Sequence, residues 1–474
     1  MMEKATSFSQ RVRRALAAGQ VEQRGIQPIP LEERTSTQYF RAFTIWFSIN
    51  TNILAITFGM LGPVSFNLGL RDSAMVILSF SLISTFAPAY LSVLGPQTGM
   101  RQMVQARYSF GRHLCVLPIV LNLATLIAFC VIMSVIGGDC LSATSDGSLS
   151  PTLGIVLIAL VALFISFWGF NVMHFFETYA WMPSLAAIIV AVGYGGSQLK
   201  QQAVPPVPAA SQILSFGAII ASYIIPWACV ASDLTTYFSP SERLTSGRVF
   251  VYSYLGILIP TVLLMTLGAA IGGAMPNIPE WEEGFGGNQV GGIFAAILDR
   301  AGGFGKFLLV ILAFSLLANV SGTMYVLTLN FQNLLPVRIP RYVYAVVVAA
   351  LLVPLGIEAS KDFFHNVEHL AGLIGYWSAA FVSIVLVEHS YFRRSNSKTY
   401  DPLIWNTASA LPSGFAAVGA CILAFGLVIP CMAQAWWTGP IAENTGDIGF
   451  EVAFFLSGLL YVPLRVIERQ ILEK

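Results

Sequence analysis

Stretches of about twenty mainly apolar residues, separated by short polar segments, run along most of the chain, and that length is what an α-helix needs to cross a bilayer core. They fall at 43–68, 73–94, 114–137, 152–170, 177–197, 213–232, 249–272, 307–330, 341–357, 367–389, 409–432 and 448–465. The pattern predicts an all-α polytopic membrane protein with about twelve transmembrane helices. The polar segments divide it into a tail at 1–42, a first five-helix unit at 43–197 and a second at 213–389. Two additional helices at 409–465 and a short tail at 466–474 complete it.

Charge tests this map independently, because Lys and Arg gather in cytoplasmic loops. With the N-terminus inside, 20 of the 25 Lys and Arg lie on the inner side, including Arg101, Arg107, Arg112, Arg243, Arg248, Arg393 and Arg394. Arg71, Lys200, Arg300, Lys306 and Lys361 remain outside. A miscounted span would scramble that alternation, so both termini are expected in the cytoplasm.

Composition narrows the class further. Only 10% of residues are charged, against about a quarter in a soluble protein, and the net charge is +1. A near-neutral chain gives no electrostatic footprint for nucleic acid, so the expected partners are membrane lipid and a small molecule. Six cysteines with no CxxC pair lie mostly in apolar segments, with Cys140 and Cys431 near span ends. Residues 1–42 are polar and lack the apolar core of a signal peptide, which reads as a mobile cytoplasmic tail. The segment around Pro279-Glu280-Trp281-Glu282-Glu283 reads as an ordered external loop or small lid.

Two spans are poor continuous helices. The first carries Asn50, Thr51, Asn52 and Thr57 ahead of Gly59 and Gly62-Pro63, and the sixth carries Gly217 and a central Pro226. Proline removes a donor from the helical ladder, and freed backbone groups survive in a membrane only where protein or a watery cavity meets them. Interrupted helices at matching positions of two halves point to the central site of a secondary transporter built as a five-plus-five inverted repeat. Asn52 and Thr57, nearest the first interruption, enter the candidate site.

At this level of detail the chain resembles a family. The stretch WFSINTNILAITFGMLGPVSFNLGLRD (46–72) is similar to the first span of the fungal-type purine–cytosine permeases, within the nucleobase–cation symporter family. So are FCVIMSVIGGDCLSA (129–143), His174-x-x-Glu177 ending in YAWMP (179–183), WACVASDLTTYFSP (227–240) and MYVLTLNFQ (324–332). LIGYWSAAFVSIVLVEHSYFRR (373–394), MAQAWWTGPIA (432–442) and GDIGFEVAF (446–454) continue the match. The resemblance implies a leucine-transporter-type fold and proton-coupled uptake of a small planar heterocycle, stacked on aromatic rings and held by amides. It implies Trp227 as the stacking residue of span six, Phe129 as an aromatic of span three, and Asn319 as the start of the family's Asn-Asn-x-Pro-Asn run. The family's span-three asparagine is Met133 here, and its span-eight run reads Asn319-Val320-Ser321-Gly322-Thr323. Met133, Gly322 and Thr323 therefore line the expected pocket with less hydrogen-bonding capacity than a nucleobase edge matches.

Charged residues inside a membrane usually serve a function. Asp233, closing span six, is expected to cap a helix or pair with a loop arginine in gating. His174 and Glu177, at the entrance to span five, either carry the coupling proton or form an interfacial pair, and Asp233 is a further candidate for the group that titrates with the gate. Asp139 is expected in the outer entry vestibule. His369 is a further pocket candidate from span ten, and His365-x-x-Glu368-His369 lacks the H-E-x-x-H spacing of a zinc protease, so no metal is expected. No cofactor is implied beyond the proton as coupling ion. The absence of a nucleophile motif or of clustered acid–base groups at one depth argues against an enzyme. Three functions stay open: nucleobase symport, uptake of a pyridine vitamin such as pyridoxine, and a non-transporting sensor. The expected address is the plasma membrane, and the oligomeric state is not encoded legibly.

Overall fold

The computed structural model describes residues 25–145, 148–167, 179–241, 245–335, 341–434 and 436–472. Each predicted span is met by a helix or by a broken pair. The first is α1 (Phe40–Asn50) and α2 (Ile53–Val64), bent by 57°. The second is α3 (Leu70–Ser84) with α4 (Phe86–Thr98), followed by α5 (Val116–Thr144), α6 (Pro151–Phe167) and α7 (Trp181–Gly195). The second unit runs through α8 (Ala210–Ile224), α9 (Thr245–Ala274), the kinked α10 (Pro279–Leu298), and the pair α11 (Gly302–Phe314) and α12 (Leu317–Leu334). It ends with α13 (Arg341–Ala359) and α14 (Phe363–Val387), and α15 (Phe415–Cys431) and α16 (Gly449–Leu472) follow.

Among the described residues, six helical stretches are long and apolar enough to cross a membrane alone, and the bent α1–α2 pair makes a seventh. α6, α7 and α15 are shorter apolar helices. Large apolar side chains such as Ile83, Leu263, Ile422, Phe455 and Leu459 face outward. Water would penalise so much exposed apolar surface, whereas lipid does not.

Small residues set the closest helix contacts. A Cβ at Gly59 of α2 would stand 1.9 Å from the carbonyl oxygen of Met265 on α9, and one at Gly268 would stand 1.9 Å from that of Ile56. The two backbones therefore touch along this seam, as small residues allow in membranes. Gly59→Val is expected to cost more than the roughly 1–3 kcal/mol of an overpacked core, because a main-chain atom cannot step aside as a side chain can. The fraction of protein running as a monodisperse peak after detergent extraction would fall sharply; an unchanged peak and melting temperature would refute the contact.

Several expectations change. The interruption of the first span lies at Thr51-Asn52, at the Asn52 end of the expected stretch, and Gly62-Pro63 does not break the helix. Pro63 sits in the last turn of α2, where one lost ladder bond is cheap. The Pro279 segment is a helix kinked at Asn288 and Gln289, with Trp281 fully buried, so it is packed structure rather than a loop. Asp139 is buried beneath α10, whose Gly291 meets its backbone, and so does not line an open vestibule. Residues 25–39 are not a free tail. Ile29 N–H donates to Gly99 O at 2.8 Å, Arg34 Nη1 donates to Pro96 O at 2.6 Å, and Ser36 bridges Phe238. This segment straps the face on which residues 25 and 472 both lie, here termed the terminal face. All six cysteines, Cys140 and Cys431 included, are free thiols.

Candidate substrate site

The site grows from the break in the first span. Asn52 has extended backbone angles; its Oδ1 accepts from Leu54 N–H at 2.9 Å, the N-cap bond that starts α2, and its Nδ2 donates to Ile49 O at 2.6 Å. Asn50 Nδ2 donates to Trp46 O at 2.9 Å and Thr51 Oγ1 to Phe47 O at 2.6 Å, side chains folded back onto the last ladder acceptors of α1, while Ile49 O, which the break frees, is met by Asn52. Thr57 lies inside α2 and donates to Ile53 O at 2.9 Å.

The eighth span locks onto this break. Asn319 Nδ2 donates to Ile49 O at 3.1 Å, its Oδ1 accepts from Thr323 Oγ1 at 3.1 Å, and Ile53 N–H donates to Ser315 Oγ at 3.4 Å. Ser315 itself sits where α11 gives way to α12. Gly322 is buried on the next turn.

The sixth span unwinds on the other side. α8 ends at Ile224, and Ile225–Cys229 and Ala231–Leu234 are 3-10 turns, the first entered through Pro226. The unwound stretch packs against α4, α5 and α14, and it carries Trp227. Trp46 meets Trp227 edge to face at 5.6 Å between centroids. Above the break, Tyr223 hydroxyl donates to Asn50 Oδ1 at 3.3 Å and its ring lies 4.9 Å from that of Phe58, which in turn stacks with Phe129 at 6.5 Å.

Two breaks thus bring Trp46, Asn50, Phe58, Phe129, Tyr223 and Trp227 together. Phe129 and Trp227 are only half-buried although Phe58, Tyr223, Met133 and Asn319 around them are buried. Side chains left partly exposed beside two helix breaks keep a face that a ligand could meet. None of the side chains named here is charged, and most polar ones are occupied by the frame. The walls therefore suit a neutral, flat, apolar-faced ligand held by few hydrogen bonds.

At the terminal face a second cluster joins the same spans. Asp233 Oδ1 accepts from Gln102 N–H at 2.7 Å, capping the turn Gln102–Gln105, while Asp233 O accepts from Arg101 Nη1 at 2.5 Å. Arg101 Nη2 also donates to Tyr325 hydroxyl of α12 at 3.0 Å. Thr235 Oγ1 donates to Ser92 O of α4 at 2.7 Å. The unwound part of span six is thereby tied to α4 and α12 below the aromatic residues.

Of the sequence candidates, Asn52, Phe129, Met133, Trp227, Asn319, Gly322 and Thr323 fall on the spans that meet at the breaks. Thr57 lies one turn into α2. Asp233 belongs to the terminal-face cluster. His369 lies apart, near the opposite end of α14, where Nδ1 meets Gln434 Oε1 at 3.2 Å and Nε2 meets His365 Nε2 at 3.1 Å. His174 and Glu177 fall outside the described residues. Sequence reasoning overlooked Trp46, Tyr223 and Ser315. The i, i+4 spacing of Trp46 and Asn50 on the broken span was the available signal for the first.

Comparison with known proteins now decides the family. Residues 28–452 match the family described as "Permease for cytosine/purines, uracil, thiamine, allantoin". The chain belongs to that permease family. It is 32% identical to the purine-cytosine permease FCY22 of Saccharomyces cerevisiae, over 98% of this chain and 89% of that one. It is 29% identical to the purine-cytosine permease fcyB of Emericella nidulans, over 97% of this chain and 91% of that one. The vitamin B6 transporter TPN1 of S. cerevisiae is 26% identical over 94% of this chain and 87% of its own. Among solved structures, Mhp1, a nucleobase-cation-symport-1 family transporter in a closed conformation with bromovinylhydantoin bound, superposes with a TM-score of 0.70. It is 14% identical, covering 95% of this chain and 96% of that one. The permease is an all-α multi-pass membrane transporter with the leucine-transporter-type fold, and not an enzyme.

Proposed function

We propose that this permease carries a neutral planar heterocycle of the nucleobase type across the plasma membrane, driven by protons, with both termini in the cytoplasm. The single observation that carries the reading is the half-open pair Phe129 and Trp227, set between two broken helices in an uncharged, aromatic surround. Flat aromatic faces hold flat rings through stacking, largely regardless of their edge substituents. The names of the relatives, which speak of purines and cytosine, agree. Asn52, Asn319, Thr323 and Thr57 hold the frame of the site, Met133 and Gly322 shape its wall, and His369 belongs to the opposite entrance. Asp233 serves the gate. His174 and Glu177 are proposed as the proton carriers. A proton rather than sodium is favoured because Ile49 O, a carbonyl freed at the break that a cation would use, already carries two amide donors.

A pyridine vitamin is the second reading, supported by the buried thioether of Met133 in place of an amide and by the name of one relative. The test is uptake of radiolabelled cytosine, adenine, hypoxanthine and pyridoxine in cells lacking their own carriers, with and without a protonophore. Concentrative uptake of a nucleobase that the protonophore abolishes is the expected result. Concentrative uptake of pyridoxine alone replaces the substrate. Binding without accumulation by protein present at the surface overturns transport in favour of a sensor.

A further inference from the structure

Polar groups buried in a membrane protein are ordinarily hydrogen-bonded, because an amide taken out of water without a partner costs free energy that a paired one recovers. Asn122 of α5 departs from this. It is completely buried, and among the described residues neither its Nδ2 nor its Oδ1 has a hydrogen-bond partner. Its neighbours are served: Thr125 Oγ1 accepts from Trp377 Nε1 of α14 at 2.9 Å, and Cys115 Sγ donates to Met103 O at 3.5 Å.

Helical spacing fixes which face Asn122 occupies. Phe129 and Met133, seven and eleven residues further on, lie within about 20° of it around the helix axis. Asn122 is thus on the face that lines the aromatic site, displaced toward the terminal face by about 10 Å from Phe129. That is more than one small ring spans, so a ring resting against Phe129 and Trp227 does not reach it.

We propose that Asn122 is a second, inner station for the transported ring, which it bonds after the ring leaves Phe129 and Trp227 and before release at the terminal face. The proposal rests on the planar-heterocycle reading above. A carboxamide presents a donor and an acceptor in one plane, which pairs bidentately with a heterocycle edge carrying an adjacent acceptor and N–H, as asparagine does with adenine. The same side chain has nothing to bond while the ring sits higher and the terminal face is latched. The amide lost at Met133 is in this sense offset by one nearer the exit.

The experiment compares wild type with Asn122→Leu, a near-isosteric change that removes both polar atoms, at equal surface abundance. Initial rates are measured with labelled cytosine and hypoxanthine, together with the melting temperature of the ligand-free purified protein. The expected result is a fall in maximal rate of at least about tenfold, external KM within about twofold of wild type, and a melting temperature unchanged or raised. Asn122→Gln, which keeps the amide, should recover part of the rate. Wild-type rates in Asn122→Leu would overturn the proposal and leave Asn122 as an unused buried amide. A lowered melting temperature, or failure of both Asn122→Leu and Asn122→Ala to reach the membrane, would make the residue structural and overturn it too. Absence of uptake by the wild type itself defeats the planar-heterocycle reading first, and this station with it.

Discussion

Replacing Trp227 by alanine raises the KM for uptake between about fivefold and about 150-fold, the range that about 1–3 kcal/mol of lost ring stacking converts to. The residue stands on a 3-10 turn opened by Pro226, with Trp46 set edge-on against it. A half-buried indole supported from the side has a face left for a ligand. Truncating it removes that face without removing a core anchor, so surface abundance should hold within about twofold. Trp227→Phe keeps a flat face and should lose far less. Initial-rate kinetics at matched surface expression decide the matter. An unchanged KM in Trp227→Ala would mean that the indole packs the bundle and the ring binds elsewhere.

The second large effect concerns the gate proposed at Asp233, whose bonds across the terminal face act as a latch. Asp233→Ala removes the carboxylate that caps the turn Gln102–Gln105, while the main-chain carbonyl of residue 233 keeps its bond from Arg101. A charged acceptor on a main-chain N–H is worth about 1.5–3 kcal/mol. Losing it shifts the balance toward an open terminal face by roughly 10-fold to 150-fold. Cys229 provides the readout, since it is a fully buried free thiol in the unwound stretch between Trp227 and Asp233. In a background with the other five cysteines replaced, labelling of Cys229 by an impermeant thiol reagent should accelerate at least tenfold in vesicles exposing the terminal face. Concentrative uptake should fall, because a transporter held open on one side exchanges rather than accumulates. Asp233→Asn, which keeps an acceptor oxygen but not its charge, should fall between. Equal labelling rates in wild type and Asp233→Ala would show that the latch does not hold the face shut.

Much of this was legible in the chain before any fold was known. Period and length of the apolar runs gave the spans, because a helix in lipid must satisfy its own backbone and has little freedom beyond that. The departures from that rule gave the two broken helices and the candidate site beside them, since Pro226 and the Asn50-Thr51-Asn52 run survive only where other groups meet the freed backbone. The first break falls beside Asn52, one of the two residues the chain places nearest it. Gly62-Pro63 looks like the stronger breaker, yet a proline in a final turn disturbs little, whereas Asn52 supplies both a cap for α2 and a donor for Ile49. Helix-capping chemistry outweighed breaker composition.

What the sequence determined by itself was class, span order, the two matched interruptions and, through family likeness, the identity of Trp227 and Phe129 as candidates. What only the tertiary structure decided was who meets whom. Asn319 reaching Ile49, Asp233 capping a turn more than a hundred residues away, Trp46 supporting Trp227 and Asn122 left without a partner among the described residues are all relations between distant segments. Local patterns follow from each residue's preference for lipid, water or helix, which the chain carries at every position. Contacts across the bundle depend on which helix faces approach, and here that is set by close backbone seams such as Gly59 on Met265, where the absence of a side chain, not any chemistry of its own, fixes the geometry.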